Sequence, residues 1–282
     1  EIRKKIGSVQ NTKKITSAME LVASSKMKKT QDAMKRGKPY SVKIVELIDN
    51  LSKASSDYKH PFFKTPEVKS DVYIIVGTDK GLCGGLNINL FKSIVAKAAE
   101  FRTNGIDSSF ALIGLKASAF FQSVGGEVVA TADKLGDQPN PEDLIGLTKV
   151  VLDLHKNQDV DEVYLCSNRF VNTMTQQPTI TQLIPLPAIE DENLVNTHWD
   201  YIYEPEAAEL LDGLLTRYIE ALIYQAVVEN NACEQAAKMI AMKNASENAG
   251  DLIKELELLY NNVRQAAITQ ELSEIVGGAA AV

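Results

Sequence analysis

The chain has 282 residues, of which 45% are hydrophobic, only 6% aromatic and 24% charged, and it carries a net charge of −7. Cys83, Cys166 and Cys233 lie far apart without a CxxC pair, as do His60, His155 and His198, which excludes a disulfide framework or a zinc motif and points to a reducing compartment with isolated thiols. No apolar run approaches the roughly 18 residues of a membrane-spanning helix and no signal or transit peptide shows at the start, so a soluble protein is expected; scarce aromatics beside abundant Ala, Leu, Ile and Val favour long helices over a thick core.

Residues 1–43 hold twelve Lys or Arg against Glu1, Glu20 and Asp32, a net of +9, whereas residues 206–282 hold twelve acids and five bases, a net of −7. The two ends are electrostatically complementary, which favours pairing between them. Apolar residues recur at helical spacing through Ile2, Ile6 and Val9, then Ile15, Met19 and Val22, and again at Val45, Ile48 and Leu51. This predicts a first helical segment over residues 1–60, kinked or interrupted where Pro39 follows Gly37.

The rhythm then changes. Val72 to Val76 form a continuous apolar run that predicts a buried strand, followed by a helix over about 86–101. Further strands are expected at 110–113, 128–130 and 163–166, with a helix over 141–155 before the last of these, and the alternating run 179–184 reads as a later strand. Strand, helix and strand in this order predict a Rossmann-like, mostly parallel α/β domain over 70–205.

Beyond Pro205 no proline occurs, and a single helix over 206–282 would span ~115 Å. The ladders Leu211, Leu215, Tyr218, Leu222 and Leu252, Leu256, Leu259, Val263, Ala266 step by fours and threes, as in a coiled-coil seam. The fold expected is therefore α/β, with a long antiparallel coiled coil of N- and C-terminal helices and the α/β domain inserted between them. Gly213, Gly250 and the pair Gly277 and Gly278 are weak points for bending or fraying.

Among motifs, the loop at 78–87 holds Gly81, Gly84 and Gly85 between a strand and a helix, where phosphate sites occur. It lacks both the Gly-Lys-Ser/Thr ending of a P-loop and the GxGxxG spacing, so its glycines read as a tight turn with close helix-to-strand approach. No Ser/His/Asp or Cys/His set assembles, and Glu190, Asp191 and Glu192 read as a solvated loop. The basic run Lys26, Met27, Lys28, Lys29 reads as a solvated face or a contact for an acidic protein partner, and net acidity with no interleaved aromatics disfavours nucleic acid. The uncharged end 275–282 is poor chemistry for a solvated tail and suits an apolar collar. Two rival classes stay open at this level: a nucleotide-binding α/β enzyme, and a coiled-coil scaffold or nucleic-acid-binding protein using the basic arm.

Four blocks carry a resemblance: the string 8–27 with Ile2 and Arg3 before it, residues 78–87, residues 199–205 around Trp199 and Pro205, and residues 268–275. Together they resemble the gamma subunit of F-type ATP synthase, bacterial type, over essentially the full length. The resemblance implies a non-catalytic central rotor shaft, one copy per complex, inside a hexamer of alpha and beta subunits, with epsilon and the c-ring at its foot. It implies no cofactor on this chain, with ATP, ADP and Mg held by alpha and beta. It further implies that Met19, Lys26, Lys28 and Lys29 face an acidic segment of beta. Arg264, Thr269 and Gln270 would hydrogen-bond to beta loops, and Tyr203 and Glu204 would lie near epsilon and the c-ring. The expected location is the cytoplasmic face of a bacterial inner membrane, with the mitochondrial inner membrane as the alternative.

Overall fold

A computed structural model of the chain describes residues 1–54, 61–63, 68–186 and 207–280. It divides into two compact units, Glu1–Ser25 with Lys238–Val282, and Lys26–Ala237. Two helices contribute to both units: α1, Ile2–Ala54, and α5, Ala207–Ala280.

The second unit is built on a five-stranded sheet in the order β3-β2-β1-β4-β5. Its strands are β1 (Ser70–Val76), β2 (Asp107–Ile113), β3 (Glu127–Ala132), β4 (Glu162–Phe170) and β5 (Gln176–Ile184). The first four are mutually parallel and β5 returns antiparallel to β4. Helices α2 (Leu86–Thr103), α3 (Leu115–Val124) and α4 (Glu142–Lys156) make the crossovers. Every strand expected from the sequence is present. Helix α3 was not expected: its ten residues lie in the interval between two strand signals, where a short apolar run does not declare its period.

Alternation along β1 sorts the core into two layers, because successive side chains point to opposite faces. Tyr73 and Ile75 pack against Leu90, Phe91 and Ile94 of α2 and Phe121 of α3. Val72, Ile74 and Val76 pack against Leu144, Leu147 and Val151 of α4 and against Leu215, Ile219, Ile223 and Val227 of α5. Burial of such a side chain contributes about 1.5 to 3 kcal/mol, so this stretch of α5 is an integral layer of the α/β unit.

The first unit is an antiparallel pair of helical segments. Thr16 Oγ1 lies 2.7 Å from Ser246 Oγ, both buried, and Lys13 Nζ lies 3.0 Å from where a Cβ would stand at Gly250, so partner numbers fall as α1 rises. The buried positions here are small or flexible: Thr16, Ala23, Met242, Ser246 and Ala249. Small side chains let helix axes approach closely.

Two sequence expectations need correction. Helix α1 runs through Gly37 and Pro39 without the expected interruption; proline removes one donor from the ladder, and a helix established on both sides tolerates that loss. Helix α5 runs as one element through Gly213, Gly250, Gly277 and Gly278. The expected seam residues Leu252, Leu259 and Val263 remain roughly half exposed. A four-and-three ladder announces an apolar stripe without saying what covers it.

Candidate functional site

In a doubly wound sheet the ligand crevice lies outside the carboxyl ends of the strands, where the strand order reverses. Here that point is between β1 and β4. Their pairing runs from Asp71 beside Glu162 to Ile75 beside Cys166, so Gly77 and Asn168 flank the crevice two residues further on. Asn230 of α5 occupies it. Its Oδ1 accepts a hydrogen bond from Asn168 Nδ2 at 2.9 Å, and its Nδ2 donates to the Gly77 carbonyl at 3.2 Å. Neither Asn230 nor Asn168 is exposed beyond 1%. Beside them Glu229 Oε1 accepts from the Phe170 N–H at 2.8 Å, Cys233 Sγ donates to the Asn168 carbonyl at 3.3 Å and Asn231 Nδ2 donates to the Gly136 carbonyl at 3.4 Å.

The glycine-rich loop is bonded to itself. Thr78 Oγ1 donates to the Lys80 carbonyl at 2.6 Å and accepts from Asn87 Nδ2 at 2.7 Å. Asp79 is the capping acid: its carboxylate accepts the N–H groups of Leu115, Lys134 and Gly136 at 3.2, 3.0 and 3.4 Å. That satisfies a donor at the start of α3 and holds the segment after β3 in place. Two residues of the turn have positive φ, Leu82 at 66° and Gly84 at 59°, and only the glycine adopts it without strain. The close helix-to-strand approach lies elsewhere, at Gly77, where an added Cβ would stand 2.9 Å from the Ala117 side chain. Cys83 packs with Leu86 and Cys233. All three cysteines are buried and free, and burial pushes the thiols of Cys166 and Cys233 well above the usual range, which makes them poor nucleophiles.

Lys26 and Lys29 of α1 line a cleft of about 690 Å³ with Thr30, Arg36, Asp137 and Tyr224. The Lys26 ammonium pairs with the Asp137 carboxylate at 2.5 Å, with both side chains nearly half exposed. A pair so open to water contributes roughly 0 to 1 kcal/mol.

Comparison with known proteins decides among the readings. A family model described as ATP synthase matches residues 1–282. ATP synthase gamma chains of Legionella pneumophila, strains Corby and Lens, are each 56% identical over 283 residues, covering 100% of this chain and 98% of theirs. The chain belongs to the family of ATP synthase gamma chains. Among solved structures, the central stalk and c-ring of the Tetrahymena thermophila mitochondrial ATP synthase gives a TM-score of 0.63 at 24% identity, covering 82% of this chain and 99% of that one. The Euglena gracilis mitochondrial enzyme in rotational state 3 gives 0.57 at 18% identity, covering 94% and 95%. At such identities the likeness is one of fold. As a gamma chain it is a subunit of a membrane-associated complex, and no helix among its described residues is long and apolar enough to cross a membrane.

The residues expected to meet partners lie on both helices. Met19 is half-buried, Lys26 is held as described, and Lys28 and Lys29 are exposed. Arg264, Thr269 and Gln270 are exposed on α5; Thr269 Oγ1 donates to the Gln265 carbonyl at 2.9 Å and Gln270 Nε2 to Glu274 Oε1 at 3.0 Å. Tyr203 and Glu204 lie outside the described residues, as do His60 and His198. His155 is buried, tilted against Phe62, with Nδ1 at 2.9 Å from the Val160 carbonyl.

Sequence reasoning missed Asn230 and its neighbours. A signal was present: Leu215, Ile219, Ile223 and Val227 form a stripe of fours and Asn230 continues it three residues on, so a polar residue stands on an apolar face.

Proposed function

We propose that this gamma chain is the rotor of the central stalk, coupling rotation of the proton-driven c-ring to conformational cycling of the catalytic beta subunits, and running in reverse during ATP hydrolysis. The observation that carries this reading is the apolar surface left bare on two faces of α5: Leu252, Leu259 and Val263 on one, and Leu258, Ile268, Leu272, Ile275 and Val276 on the other, are all substantially exposed. So much exposed apolar surface marks a contact surface, and an alpha and beta hexamer around the helices would bury it on both faces.

In this reading the chain is non-catalytic and binds no cofactor, with ATP, ADP and Mg on alpha and beta. Asn230 supports it by filling the crevice that a nucleotide-binding enzyme would need. The segments 1–60 and 206–282 serve as the shaft and 70–205 as the foot. Met19, Lys26, Lys28 and Lys29 would face an acidic segment of beta, Arg264, Thr269 and Gln270 would bond to its loops, and Tyr203 and Glu204 would meet epsilon and the c-ring. The kinship with bacterial gamma chains supports a location on the cytoplasmic face of the inner membrane.

The test is native mass spectrometry of the complex recovered on a tag on this chain, with ATP hydrolysis assayed on the same sample. One copy with three alpha and three beta subunits, active in hydrolysis, is expected. Recovery of the chain alone, or with nucleic acid, overturns the reading.

A further inference from the structure

A rotor transmits torque only if its foot cannot turn about its own helix, and the two kinds of contact on α5 differ in this respect. Leu215, Ile219, Ile223 and Val227 bury well against the sheet, but apolar contact is non-directional and fixes the angle of a helix less sharply than an oriented bond. The hydrogen bonds of residues 229–231 are oriented bonds, because they weaken steeply with distance and angle.

Successive residues of a helix point about 100° apart, so three in a row sweep about 200° of its circumference. Here Glu229 takes the N–H of Phe170 at the end of β4, Asn230 ties the Gly77 carbonyl after β1 to Asn168 of β4, and Asn231 reaches the Gly136 carbonyl after β3. Three consecutive side chains thus hold three separate segments of the α/β unit. A twist of ~20° about the helix axis would carry a side-chain amide ~2 Å sideways at the helix periphery, outside hydrogen-bonding range. Asn230, Asn168 and the Gly77 carbonyl would then be buried without partners, a state the fold resists.

We propose that Glu229, Asn230 and Asn231 form the torsional joint by which the α/β unit grips α5, with Asn230 as the central positioning residue. This inference rests on the rotor reading and adds where in the chain the torque crosses from sheet to helix. The joint is chemically distinct from the apolar packing around it: it sets the angle of the helix, whereas the packing sets its adhesion.

The experiment uses the whole complex in membrane vesicles, measuring ATP hydrolysis and ATP-driven proton pumping on the same preparation, with thermal unfolding of the complex in parallel. Wild-type complex that hydrolyses ATP without pumping would count against the rotor reading itself. Given coupled wild type, Asn230→Leu is expected to lower the ratio of pumping to hydrolysis severalfold and to lower the melting temperature. The double variant Asn168→Leu, Asn230→Leu removes both side-chain partners and is expected to recover much of the melting temperature while the ratio stays low. A ratio that returns with stability in the double variant, or that is wild-type in Asn230→Leu, overturns the proposal. Should Asn230→Leu fail to assemble, Glu229→Ala, altering a partly exposed residue, is read in the same way: a lowered ratio at wild-type stability supports the joint and a wild-type ratio overturns it.

Discussion

Asp71 stands at the start of β1 with no solvent exposure, beside Ser108 on one flank and Glu162 on the other. Burial holds its pKa above the ordinary carboxylate value, with Glu162 adding to the rise and the nearby Ser108 and Tyr73 hydroxyls and Lys97 opposing it. The folded chain therefore binds this proton more tightly than the unfolded chain. The contribution is fully present below about pH 3.9 and is lost as pH rises through the folded value. Asp71→Asn keeps the shape and removes the ionisation, so it is expected to melt above wild type at pH 7, with the gap narrowing towards pH 4.5. His155 has the opposite sign of dependence. Burial lowers its pKa although the Val160 carbonyl pulls the other way, so stability is full above about pH 6.5 and falls as pH drops below it. In urea unfolding, His155→Gln should lose less stability than wild type between pH 7.5 and 5.5; equal losses would contradict this.

At the scale of elements, helix α5 carries glycine where nothing demands it. A Cβ at Gly213 would meet nothing within 4 Å, and one at Gly250 would meet only the movable end of Lys13. Neither has an unusual φ, so Gly213→Ala and Gly250→Ala are each expected to stabilise by up to about 1 kcal/mol, measured by thermal melts of the complex. Across the helical pair, Thr16→Val should cost about 1 to 3 kcal/mol by leaving the Ser246 hydroxyl buried alone, and adding Ser246→Ala should return most of it; additive losses would show that the two hydroxyls do not interact. Helix α5 was legible from its proline-free length and α1 from its apolar period, and the strands from runs such as 72–76. Pairing partners were less legible. Ladder spacing marks Leu252, Leu259 and Val263 as a stripe, but burial depends on what lies opposite, and Thr16, Ala23, Ser246 and Ala249 give no apolar signal of comparable strength. The polar grip of Asn230 was hidden for a related reason: an asparagine in a helix looks solvated until its partners, 62 and 153 residues away, are known.

At the scale of the whole molecule, the chain combines a packed α/β core with a helical pair whose outer face is unfinished. The buried residues of the α/β unit include Tyr73, Phe121, Ile74, Leu90 and Leu112, a core that closes without help. On α5, Leu258, Leu272, Ile275 and Val276 are each 57% exposed or more, and surface of this kind is normally covered in a functioning protein. The isolated chain should therefore self-associate with rising concentration while retaining its α/β core. Replacing Leu258 and Leu272 by Ser removes two large side chains from that stripe without touching the buried layer. The double variant should stay monomeric at concentrations where the wild-type chain aggregates, by sedimentation or light scattering. The same change should weaken the chain's hold inside the complex, since each buried leucine lost costs about 1.5 to 3 kcal/mol of apolar burial, and recovery of alpha and beta on a tagged variant should fall. A variant that is more soluble alone yet recovers the complex undiminished would show that this stripe is not the face the hexamer covers.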